Sequence, residues 1–225
     1  MYVIKKWFIV AVVILAIASM IFVSGCSGSK ADGASSEASV KSVAEETVAA
    51  EKETVATEKT GNNIGDTGPA GGFIFYINPN NEADGWHYLE AAPSDIPGDA
   101  NDYQIKWFSG DKGIETGATA TTIGTGKSNT EKIVSIQGEG SYAAKLCDDL
   151  TLNGFSNWFL PSKDELDLMY KNLHLKGIGG FGDTYWSSSE GGVGRAWTQL
   201  FIDGNQKIYF GMNNGIRVRA VRAYN

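Results

Sequence analysis

The sequence predicts an α+β domain preceded by an export signal and a stalk. Strands rich in aromatic and β-branched residues come first, then two helices with their own start and stop signals, then antiparallel strands joined by glycine and asparagine turns. Residues 27–60 hold no aromatic side chain, whereas glycine, aromatic and β-branched residues dominate from Gly61 onward. The folded part is therefore expected at 61–225, one ordinary domain of about 165 residues, long enough to bury a core without disulfide staples.

Residues 1–25 carry Lys5 and Lys6, an apolar run from Trp7 to Val23, and the small residues Ser24 and Gly25 before Cys26. That is the order of a secretory signal. The other reading of such a run is an uncleaved transmembrane anchor. The segment Val23-Ser24-Gly25-Cys26 resembles a bacterial lipobox, with valine where leucine is usual. The resemblance implies a diacylglyceryl group on the Cys26 thiol, cleavage before it, and acylation of the new amine. Each buried methylene contributes about 0.8 kcal/mol, so two or more chains would hold the protein on a membrane of the cell envelope, on its extracytoplasmic side.

Residues 26–60 read as a low-complexity stalk of Ala, Glu, Ser, Thr, Val and Lys. As a flexible coil it spans about 30–35 Å. Val40, Val43 and Ala44 have helical spacing, so a helical stalk is the alternative, although the pattern decays beyond Val48.

Within the domain, Phe73 to Ile77 and Trp86 to Glu90 are predicted strands around a polar loop, Asn78 to Gly85. Residues 93–129 are dense in Gly, Thr, Asp and Ser and read mostly as loop. The first helix has the stripe Ala143, Leu146, Cys147 and Leu150, stopped by Asn153-Gly154. The second opens on the capping box Ser162-Lys163-Asp164-Glu165 and buries Leu166, Met169 and Leu173. Four closing strands are expected at Tyr185 to Ser188, Ala196 to Ile202, Lys207 to Met212 and Ile216 to Tyr224, with turns at Asp203-Gly204-Asn205 and Asn213-Asn214-Gly215.

Several phrases stand in order across the domain: GDTGPAGGFIFY at 65–76, GWHYLEAAP at 85–93, IGTGKSNT at 123–130, NWFLPSKDELDLMYKNL at 157–173, YWSSSE at 185–190 and VRAVRAY at 218–224. As a set they resemble the C-terminal domain family of the bacterial collagen-like adhesin Lcl. The resemblance implies a surface or envelope domain with a C-type-lectin-like fold, some relatives of which bind sulfated polysaccharides. Only Gly65 to Gly71 has the collagen triplet pattern, and two triplets cannot make a triple helix.

Charge narrows the partners. The chain carries −7, and loss of Lys5 and Lys6 with the signal makes it −9. Residues 61–225 hold thirteen Lys and Arg against nineteen Asp and Glu, a net −6, so nucleic acid is not an expected partner. All four arginines, Arg195, Arg217, Arg219 and Arg222, fall in the last strands, and Arg217 and Arg219 alternate onto one face. They read either as an anion-binding strip, with Lys207 beside them, or as structural partners of the acidic residues. Trp107, between Lys106 and Ser109-Gly110-Asp111, is the tryptophan expected to be exposed. Trp158, Trp186 and Trp197 are expected in the core.

Other chemistry finds little support. Gly124 to Ser128 lacks the first glycine of a phosphate loop, with Thr121 in its place, and neither a preceding strand nor a following helix is expected. Asn80, Glu82 and Asp84 place oxygens at alternate positions, but Ala91 stands where a calcium loop needs its bidentate glutamate. Cys147 sits on an apolar stripe, the place of a small hydrophobe rather than a nucleophile. The expected function is a non-enzymatic, membrane-anchored binding module for a polysaccharide, needing no metal or cofactor. The alternative is a structural envelope lipoprotein that engages an envelope or host surface protein. Cys26→Ala is expected to leave an uncleaved precursor, and mass spectrometry of wild type should find an N-terminal peptide that starts at Cys26 with added acyl mass.

Overall fold

The phenylalanine- and tyrosine-rich runs pair first. Strand β1 (Phe73–Ile77) pairs antiparallel with β2 (Tyr88–Ala91), joining Phe73 to Ala91 and Ile77 to Tyr88 across a bulge between Ile74 and Tyr76. The computed structural model describes residues 61–98, 105–110, 113–211 and 216–225. The signal segment, Cys26 and the stalk lie outside the described residues, as does the Asn213-Asn214-Gly215 turn. Among the described residues no helix is long and apolar enough to cross a membrane.

Between β1 and β2, the expected polar loop contains one helical turn, α1 (Asn81–Asp84), closed by Gly85 at φ 74°. Asn78 organises it, donating from Nδ2 to Asp84 Oδ2 at 2.9 Å while its Oδ1 accepts from Asn80 N at 3.0 Å.

The stretch read as loop up to Asn129 contains the start of a full helix, α2 (Gly126–Gln137). Its buried positions are Gly126, Asn129, Thr130 and Ile133, so a search for an apolar stripe passes over it. The donors on those polar side chains are paired. Thr130 Oγ1 donates to Gly126 O at 2.9 Å and accepts from Leu160 N at 3.0 Å, and Asn129 Nδ2 donates to Ala120 O at 2.7 Å.

The first expected helix is shorter than its stripe, α3 (Ala143–Asp148), and Asn153 and Gly154 take the left-handed backbone of a chain reversal beyond it, at φ 52° and 85°. After the two-residue strand β3 (Trp158–Phe159) comes α4 (Lys163–Asn172), with its capping box formed. Leu166, Met169 and Leu173 are buried as expected. The fully buried Glu165 carboxylate accepts from Ser162 N at 2.7 Å and, through its other oxygen, from Gly124 N at 2.8 Å. A Cβ on Gly126 would overlap Glu165 Oε2, which is why glycine opens α2. One carboxylate thus serves the first turns of both helices.

The closing strands divide. Strands β4 (Thr184–Gly192), β5 (Arg195–Leu200) and β6 (Gln206–Phe210) form a three-stranded antiparallel sheet, joined at Asp203-Gly204-Asn205 as expected. The fourth does not continue that meander. β7 (Val221–Tyr224) lies in the first sheet, whose order is β1-β2-β7-β3, and Glu90 of β2 faces Arg222 of β7. The reason is electrostatic, since both side chains are buried and neither charge is tolerable without the other.

Two apolar clusters fill the interior. One gathers Trp107, Ile133, Tyr142, Trp158 and Trp186, and the other Phe75, Leu89, Leu166, Met169, Tyr185 and Phe201. Trp158 and Trp186 are core as expected, while Trp197 is only half-buried.

Burial pushes Glu165 from its ordinary 4.5 up to about 7, against the backbone amides that favour its charge. A carboxyl raised on folding holds its proton where the unfolded chain has lost it. Its contribution is complete below about pH 4.5 and is lost as pH rises through 7. In urea unfolding, the stability of wild type relative to Glu165→Gln is expected to be greatest near pH 4.5 and to shrink by up to a few kcal/mol by pH 8.

Candidate functional site

The segment Pro93-Ser94-Asp95-Ile96-Pro97 runs antiparallel to residues 218–220, with Ala92 N donating to Ala220 O and Ile96 N to Val218 O, both at 2.9 Å. Alternation on the facing segment turns Arg217 and Arg219 toward Asp95. Arg217 Nη1 donates to Asp95 Oδ2 at 2.9 Å and Arg219 Nε to Oδ1 at 2.6 Å. The Tyr185 hydroxyl lies within 2.9 and 3.0 Å of the two carboxylate oxygens and accepts from Gly182 N at 2.7 Å. Burial, and then the Asp95 charge, push that phenol up to about 12, so it remains a donor across the physiological range.

The two arginines differ in access. Arg219 is 1 % exposed, donates from Nη1 to Ala92 O at 3.0 Å and Gly179 O at 2.9 Å, and stacks 4.4 Å from the Phe181 ring centre. Arg217 keeps 36 % of its side chain exposed. Its hydrogen bond to Asp95 raises its pKa further. Asp95 and Arg217 lie on an open cleft of about 450 Å³, whose walls include Phe73, Pro93, Ser94, Gly179 and Gly180. Burial of Arg219 leaves Arg217 as the guanidinium at the opening. The exposed Asp183 lies close enough to act on the Arg217 charge.

The anion-binding strip read from the sequence is therefore dispersed. Arg217 and Arg219 do share a face, but Arg222 is buried in the first sheet. It donates from Nη1 to Glu90 Oε2 at 2.9 Å and from Nε to Asn157 Oδ1 at 3.1 Å, with its guanidinium 4.1 Å from the Phe155 ring centre. Glu90 completes this knot by accepting from Gly72 N at 2.7 Å and Ala70 N at 3.1 Å. Arg195 stacks 4.4 Å over Phe210 on the second sheet, and the exposed Lys207 faces Thr198 on that sheet's other side. Neither is among the residues lining the cleft.

Trp107 corrects the expectation of exposure. Its ring is fully buried and its Nε1 donates to Ser187 O at 2.8 Å. Polar neighbours in sequence mark the chain on either side of it, not the direction of the ring. Asp95, Tyr185 and Glu90, the acceptors and donor that fix the arginines, were not picked out from sequence. Each meets its partner from at least 90 residues away, and no local pattern marks such a pairing.

The remaining motifs resolve physically. A helix does follow Gly124-Thr125, contrary to expectation, but the Glu165 carboxylate occupies the amide of Gly124, where a phosphate would have to sit. Cys147 is buried and its thiol is pushed well above the ordinary range by desolvation. Among the described residues no three His, Cys, Asp or Glu side chains gather as metal ligands. The described fold is a mixed α+β domain with two small antiparallel sheets and an arginine-floored cleft. No protein-family model matches the chain, and no curated protein matches it.

Removing Arg219 leaves Asp95 short of its buried partner, so Arg219→Met is expected to cost about 3–5 kcal/mol in urea unfolding. Arg217→Ala, at the opening, is expected to cost about 1 kcal/mol or less.

Proposed function

We propose that this chain is a lipid-anchored extracytoplasmic binding module with a C-type-lectin-like fold, and that its ligand is an acidic glycan engaged at the Asp95 cleft. The observation that carries the reading is the half-exposed Arg217, held in place by the buried Asp95 at the mouth of a cleft of about 450 Å³. That volume lies in the range of small-ligand pockets, roughly 300–1,000 Å³. A guanidinium fixed by a carboxylate behind it loses little freedom on meeting a second oxyanion, and its planar fork suits carboxylate or sulfate. The anchor at Cys26 and the resemblance of residues 65–224 to the adhesin domain supply the setting. The buried thiol and the histidines are poor supports for catalysis, His174 being packed against Tyr170, Phe181 and Phe201.

One observation favours a second reading, a structural or protein-interaction envelope lipoprotein. Arg219 and Arg222 are both used inside the domain, which leaves a short basic surface for a polyanion. The two readings separate in one experiment. Binding of the protein to an array of uronate-bearing and sulfated oligosaccharides is expected to fall steeply as salt rises above physiological strength, where screening acts over about 8 Å. Arg217→Ala should weaken that binding about tenfold while unfolding at nearly the wild-type temperature. Equal binding by Arg217→Ala and wild type would remove the cleft from the reading, and no salt-sensitive glycan binding at all would put the protein-interaction reading first.

A further inference from the structure

Eight large apolar side chains are exposed among the described residues, and four of them, Ile114, Val193, Ile208 and Phe210, come together at one end of the second sheet. The register fixes this. Arg195 pairs with Phe210 and Trp197 with Ile208, so these four side chains stand on one face of β5 and β6. Gly191 of β4 packs against Ile208, where a Cβ would lie 2.9 Å from Ile208 Cγ2. Val193 occupies the turn between β4 and β5 and is 62 % exposed. Gly113 lies against Gly194 of that turn, a Cβ on Gly194 lying 2.8 Å from Gly113 Cα, and so brings Ile114 to the same end. Phe210, 55 % exposed, carries the Arg195 guanidinium 4.4 Å from its ring centre. Lys163 Nζ lies 5.0 Å from the Trp197 ring centre, whereas the exposed Lys207 stands on the sheet's other face. Among the described residues the acidic groups nearby include the exposed Glu115, the buried Glu190 and the half-buried Asp164, the last 3.5 Å from Lys163 Nζ.

We infer that this end of the sheet is a membrane-docking tip, which dips Val193, Ile208 and Phe210 into the headgroup region of the bilayer that holds the anchor. The inference rests on the lipid anchor of the preceding section and concerns a surface distinct from the cleft. An exposed aliphatic side chain on the turn, another on β6, a phenylalanine, and a cation stacked on it make a combination suited to an interface, where the apolar parts leave water while the guanidinium stays at phosphate depth. The length of chain before the domain supplies the second argument. A stalk of thirty-four residues, Ser27 to Thr60, would have a root-mean-square span of about 30–35 Å as a flexible coil, so a weak contact of the domain with the bilayer would be sampled repeatedly. Arg195 complements anionic headgroups on a domain whose net charge is −6.

The test uses the full acylated chain in vesicles of phosphatidylglycerol and phosphatidylethanolamine. Val193→Cys carries an environment-sensitive fluorophore in one sample and Glu131→Cys, exposed on α2, carries it in another, while Cys147 is buried with a raised thiol pKa and is left unlabelled. The expected result is a blue-shifted emission at position 193 and quenching by headgroup-proximal spin-labelled lipid several-fold stronger than at position 131. Adding Ile208→Ser and Phe210→Ser should bring position 193 down to the level of 131 without shifting the melting temperature. Flotation with the vesicles and the mass of the Cys26 peptide report the anchor separately. Protein that floats with acylated Cys26 yet is quenched equally at both positions overturns the tip and leaves the anchor standing. Loss of flotation with unmodified Cys26 overturns the anchor, and the tip with it unless position 193 still blue-shifts on added vesicles. A blue shift at position 193 that needs no vesicles and grows with protein concentration overturns docking in favour of a contact between two copies of the chain.

Discussion

The Asp95 carboxylate, buried between two guanidiniums and a phenol, is the interaction on which the described domain depends. It ties the segment after β2, the loop around Gly179 to Gly182, strand β4 and the run leading into β7, which otherwise belong to different layers. Taking these charges from water costs several kcal/mol per ion, and only a nearly complete set of hydrogen bonds offsets it. Glu90 and Arg222 repeat the device in the first sheet. The concentration of arginine at the end of the sequence is thus chiefly a matter of construction, because the chain crosses there into the first sheet and anchors itself to Glu90 and Asp95, on β2 and the segment after it. Arg217 is the member of the set that construction leaves at the surface.

Much of the fold was legible because it is written in short patterns. Ser162 and Glu165 announce their helix three residues apart, Asp203-Gly204-Asn205 announces its turn, and the aromatic runs announce β1, β4 and β5. What escaped was settled at a distance. Helix α2 turns Asn129 and Thr130 inward against Ala120 and Leu160, so its period is polar rather than apolar. β7 joins β2 through a buried ion pair that neither segment displays alone, and Trp107 turns inward to a carbonyl 80 residues away. For the site, the alternation of Arg217 and Arg219 was visible and correct, while the identity of their shared partner was not.

The cleft and the exposed tip of the second sheet are built on different terms. At the cleft, polar groups are fixed by other buried polar groups, which favours recognition of shape and charge. At the tip, apolar side chains stand in water on a tight turn with glycine at Gly192 and Gly194, both in the left-handed half of backbone space. Such a surface selects for a medium more than for a molecule. The two surfaces share no residue.

Strand order has a consequence for biogenesis. Glu90 waits for a partner 132 positions later, and β7 is an inner strand, flanked by β2 and β3, so the first sheet stays unfinished until residue 224 has emerged. Pairings this remote slow folding and leave the nascent hairpin of β1 and β2 as an open edge throughout synthesis. The same topology that locks the finished domain leaves it unlocked until its last strand is made.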